Sequence, residues 1–139
     1  MIKIIYGKKG AGKTKKIIES ANRASETCKG NVAFLFNNKD YICELKHQVR
    51  FVDTTEYGIK GAYLFLGFIS GLVASNFDLE TIFVDGFLKH MDRPMNELED
   101  LFIRLKPFCE QHRIELVLSV SADKEEIPAF MQEFLTDSL

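Results

Sequence analysis

Five short apolar runs constrain this chain more than any other feature. They are IKIIY (2–6), VAFLF (32–36), VRFVDT (49–54), TIFVD (81–85) and IELVLSV (114–120), each five to seven residues long. Most are nearly unbroken apolar stretches rich in Val, Ile, Leu and Phe, the pattern of strands buried on both faces. Helical spacing fills the gaps. Ile17, Ile18, Ala21 and Ala24 mark a helix from about 13 to 28 that stops at Gly30, and a short helix is expected over about 40–47. The uncharged segment GAYLFLGFISGLVAS (61–75) reads as a buried crossover helix, with Gly67 and Gly71 permitting close packing. Pro94 suits a helix start, Leu98, Leu101, Phe102, Leu105 and Phe108 form one helix face, and Pro107 predicts a kink or an end. A closing helix is expected from Pro128 to about Thr136.

Strands alternating with helical crossovers predict an α/β fold: three layers, α/β/α, around a mainly parallel sheet of about five strands. With 139 residues, the chain is expected to form a single domain over 1–139. The segment 61–75 is shorter than the roughly 20 residues a membrane span needs, so no span is expected. Net charge is −2, which excludes a polyanion binder by bulk electrostatics and leaves no clear nucleic-acid surface. Cys28, Cys43 and Cys109 are odd in number and far apart, as are His47, His90 and His112, so neither a disulfide framework nor a metal-ligand cluster is expected. A reducing, cytoplasmic setting fits these thiols.

Residues 7–14 read G-K-K-G-A-G-K-T and satisfy G-x-x-x-x-G-K-[ST] between a strand and a helix. The physics of that spacing is phosphate binding. Gly7, Gly10 and Gly12 let the backbone curl so that successive N–H groups, including those of Lys8, Lys9, Ala11 and Lys15, can surround an anion. The helix from Lys13 adds its positive end, Lys13 can reach the β- and γ-phosphates, and the Thr14 hydroxyl can ligate Mg²⁺. Asp85 ends an apolar strand, where open α/β sheets bind ligands, and its carboxylate could hold Mg²⁺ through water. Lys13 and Asp85 are therefore the leading catalytic candidates, with Thr14 and Asp85 as the metal pair.

The loop and the Asp85 strand together resemble the Walker A and Walker B elements of the P-loop NTPase superfamily. The intervening VAFLF strand, and the stretch from FVDG to SVSAD, resemble the minimal ATPase core of RecA-like and replicative-helicase-type proteins. The likeness is specific at 7–14 and 81–85 and only a pattern elsewhere. It implies ATP as the nucleotide, a 114–120 strand lying between the loop strand and the Asp85 strand, and a polar sensor at Ser119 or Ser121. It also implies a catalytic glutamate, which this chain lacks at both family positions: Gly86 follows Asp85, and Asn37 or Asn38 falls at the end of the second strand. Asp53 and Glu56 are the candidate substitutes.

The function expected is Mg²⁺-dependent binding of a nucleoside triphosphate with weak or partner-stimulated ATPase activity. The alternatives are a small-molecule or nucleoside kinase and a non-hydrolysing, nucleotide-dependent switch. Because the loop strand is expected near a sheet edge, a homo-oligomer or protein partner is expected to cover it.

Overall fold

The computed structural model describes all 139 residues. Five strands, β1 (Ile2–Gly7), β2 (Asn31–Phe36), β3 (Val49–Asp53), β4 (Leu79–Val84) and β5 (Glu115–Ser121), form one sheet in the order β1-β5-β4-β2-β3. Every pairing is parallel. Four α-helices accompany it: α1 (Lys13–Thr27), α2 (Ala62–Ser75), α3 (Glu99–His112) and α4 (Ala129–Gln132). The three-layer α/β/α expectation holds.

The pleat sends successive side chains to opposite faces, and both are buried. On one face Ile5, Phe34, Phe83 and Val117 meet Ile17, Ile18 and Ala21 of α1. Phe34 stands in register between Phe51 and Phe83, and its ring stacks on both at 6.4 Å, a cross-strand ladder that fixes three strands at once. On the other face Ile4, Leu35, Ile82, Leu116 and Leu118 meet Phe65 and Ile69 of α2, Leu101, Phe102 and Leu105 of α3, and Met131 of α4.

Several local expectations need correction. The 40–47 segment holds only a 3-10 turn at Ile42–Glu44, tethered from α1: Asn22 donates to the Glu44 carbonyl and accepts from the Lys46 amide. Pro107 neither ends nor breaks α3. The acceptor that it leaves without a donor belongs to Ile103, whose side chain is 66% exposed, so water can take that carbonyl while Leu105 and Cys109 stay buried opposite. The outer side of α2 is open: Gly67 and Gly71 are exposed, with nothing within 4 Å of where a Cβ would stand.

The expected closing helix ends at Gln132, and after a turn at 133–134 the chain bridges to β1 at Leu135. Ile4 donates to the Phe134 carbonyl at 2.8 Å, and Thr136 donates to the Ile4 carbonyl at 2.9 Å. The chain's own residues 134–136 thus occupy the β1 edge at Ile4. No helix is long and apolar enough to cross a membrane.

Candidate functional site

The loop after β1 takes the conformation its glycines allow. Gly7, Gly10 and Gly12 have φ of 146°, 88° and 85°, a region that side chains with a Cβ rarely enter. Its exposed crest then runs into α1, whose first turn leaves backbone donors free. The amides of Gly10, Gly12, Lys13, Thr14 and Lys15 find no acceptor within the protein. The loop's base is fixed by Gly7 N–H donating to the Ala122 carbonyl at 3.0 Å.

Lys13 lies back over this loop, only 9% exposed, and its Nζ donates to the Gly7 and Lys8 carbonyls at 2.8 and 2.9 Å. Burial pushes its ammonium below the ordinary lysine range, and the charge of Asp85 works against that shift. Lys8 turns elsewhere, toward Asp123 at 3.6 Å, an exposed ion pair of little energetic weight.

Asp85 follows β4 immediately and is 4% exposed. Two hydroxyls hold it: Thr14 Oγ1 donates to Oδ2 at 2.9 Å, and Ser119 Oγ donates to Oδ1 at 2.5 Å. Residues 14, 85 and 119, remote in sequence, meet because β5 lies between β1 and β4, the strand order that the resemblance implied. Ser119 is buried and bonded to Asp85, whereas Ser121 is exposed, so the structure brings only Ser119 into the cluster.

The substitutes for a catalytic glutamate do not join this cluster. Asp53 sits at the end of the far edge strand and caps the next 3-10 turn, accepting from Thr55 N–H at 3.0 Å and Thr55 Oγ1 at 2.6 Å. Glu56 is paired with Lys39. Gly86 has φ 64° and a Cβ there would meet Lys89 Cδ at 3.1 Å, so a glutamate at that position would be strained. Arg23 donates to the Leu139 carbonyl and Arg93 to Asp100, which engages both away from the loop.

His90 and the 3-10 turn that contains it belong to no sequence motif. The imidazole is buried, and its Nδ1 lies 3.0 Å from the Gly86 carbonyl oxygen. The only signal in the sequence was its place shortly after Asp85. Elsewhere, an open groove of about 850 Å³ lies at the opposite end of β2 and β3 from Asp85, lined in part by Lys46, His47, Arg50 and Phe51. No group of three or more His, Cys, Asp or Glu side chains comes together to suit a metal ion. Compared with protein-family models and with curated proteins, the chain matches none.

Proposed function

We propose that this protein binds a nucleoside triphosphate, ATP by its resemblance to RecA-like cores, through the loop 7–14. The observation that carries the reading is the set of unpartnered amides at Gly10, Gly12, Lys13, Thr14 and Lys15, at a helix N-terminus beside a buried lysine. Such donors suit phosphate oxygens, and the helix dipole adds attraction for negative charge. Lys13 need only exchange its two carbonyl acceptors for phosphate oxygens.

Mg²⁺ suits the same place. It takes one or two protein oxygens and fills its remaining positions with water and phosphate, so Thr14 and Asp85 suffice to hold it. When bound, Mg²⁺ neutralises charge on the β- and γ-phosphates. This chain's own part is to orient: Ser119 holds one Asp85 oxygen, leaving the other beside Thr14.

The favoured form of the activity is a switch or a partner-stimulated ATPase. Gly86 stands where a water-orienting glutamate would be needed, and Asp53 and Glu56 have local partners. Orientation of the attacking water carries much of such catalysis, so unaided turnover should be slow. The test is ATP binding and turnover by one purified sample, with Lys13→Ala as control. Binding lost in the variant, with slow wild-type turnover, supports the reading; equal binding by both proteins overturns it. Transfer of labelled phosphate to a small acceptor would favour a kinase instead.

A further inference from the structure

His90 is a buried titratable group that the proposed binding reaction does not touch. It is 1% exposed, within a 3-10 turn at Phe87–His90, with Phe65 of α2 packed at 6.4 Å. A carbonyl oxygen can only accept, so the Gly86 carbonyl fixes the proton on Nδ1. Nε2 is left with no partner, the one buried side-chain nitrogen or oxygen in this condition. Packing alone does not account for an imidazole here. Phenylalanine would fill the same space without an orphaned polar atom.

What the imidazole adds is a grip on Gly86. That residue is a glycine at φ 64°, the residue type least able to hold its own conformation. It is pinned on both sides. Its N–H donates to Ser119 Oγ at 2.7 Å, and its carbonyl accepts from His90 Nδ1 and from the Lys89 amide at 2.9 Å. Because the amide hydrogen points into Ser119 Oγ, the hydroxyl's single hydrogen is directed to Asp85 Oδ1. Asp85 Oδ2 is then left to Thr14. The chain runs from His90 through Gly86 and Ser119 to Asp85.

We infer that His90 is a positioning residue that, through Gly86 and Ser119, orients the Asp85 carboxylate for Mg²⁺ and a nucleoside triphosphate. The inference rests on the nucleotide reading above. It also ties the site to α2, because the His90 carbonyl accepts from Gly61 N–H at 2.7 Å.

Two substitutions separate positioning from support. His90→Phe keeps volume and loses the donor; His90→Asn loses volume and keeps a donor where Nδ1 stood. Each is purified beside the wild type, and ATP affinity with and without Mg²⁺ is measured together with the melting temperature. His90→Phe is expected to melt at or above the wild type, yet its gain in ATP affinity from Mg²⁺ should fall about tenfold, the scale of residues that orient metal ligands. His90→Asn is expected to melt lower and keep most of that gain. Opposite orders in the two assays are the signature of positioning. Losses that follow melting temperature in both variants overturn the inference, as do a wild-type Mg²⁺ response in His90→Phe and a His90→Phe that does not fold. Wild-type protein that binds no ATP removes the nucleotide reading and this inference together, whereas a normal wild type with an unaffected His90→Phe removes the inference alone.

Discussion

Ser119→Ala is the substitution whose cost follows most directly from the structure. Ser119 is 2% exposed and serves two buried groups at once, donating to Asp85 Oδ1 at 2.5 Å and accepting from Gly86 N–H at 2.7 Å. Alanine leaves a buried carboxylate oxygen and a backbone amide without partners. A hydrogen bond to a charged group is worth about 1.5–3 kcal/mol, and an orphaned buried donor costs about 1 kcal/mol or more. Together the loss is about 2.5–4 kcal/mol, a large share of a typical stability of about 5–15 kcal/mol. For a domain of this size each kcal/mol moves the melting temperature by about 4 °C, so a fall of about 10–16 °C is expected. Differential scanning calorimetry on Ser119→Ala beside Ser121→Ala measures it. Ser121 is exposed at the strand end and should change little. Equal melting temperatures for the two variants would refute the reasoning, because they would mean that the Asp85–Ser119–Gly86 chain carries no energy.

Further outcomes follow from the same geometry. Asp85→Asn can accept from Ser119 and donate to Thr14, so it should fold at least as stably as the wild type while its Mg²⁺-dependent gain in ATP affinity drops about tenfold or more; calorimetry and titration check both halves. Burial pushes the His90 imidazole below its ordinary value near 6.5; hydrogen bonding to the Gly86 and Phe87 backbone and then the Asp85 charge oppose the shift, and Lys89 adds to it. As pH falls below about 6.5 the unfolded chain therefore takes up this proton before the folded protein does, and stability declines until the folded-state value is passed. The melting temperature should accordingly fall more between pH 7.5 and pH 5.5 in the wild type than in His90→Phe, and parallel curves would count against it. Gly67→Ala and Gly71→Ala meet open space on an exposed helix face, so each should raise stability by about 1 kcal/mol; a drop in denaturant midpoint would contradict that.

The sheet was legible because parallel strands buried on both faces leave unbroken apolar runs, as VAFLF and IELVLSV do. The turn between β1 and α1 was legible because positive φ at Gly7, Gly10 and Gly12 favours glycine in that spacing. Segments decided by long-range contacts were not. Residues 134–136 have helical spacing, but two hydrogen bonds to Ile4 draw them along the β1 edge. Residues 40–47 lost their helix to Asn22, which lies in another element. Asp85 was paired with Thr14 from its place at the end of an apolar strand and from the resemblance, whereas Ser119 became more than one of two polar strand ends only when β5 came to lie between β1 and β4. His90 was hidden for a simpler reason. A lone histidine carries no spacing signal, and its role shows only in the bond to Gly86.

The central claim is that residues 7–14 hold a nucleoside triphosphate with their backbone amides. Two-dimensional amide NMR during titration with ATP and Mg²⁺ tests it most directly. The account predicts that the largest, saturable shifts fall on Gly10, Gly12, Lys13, Thr14 and Lys15, with Gly86 following, and that Lys13→Ala abolishes them. Shifts confined to the groove around His47 and Arg50, or none at all, would contradict it.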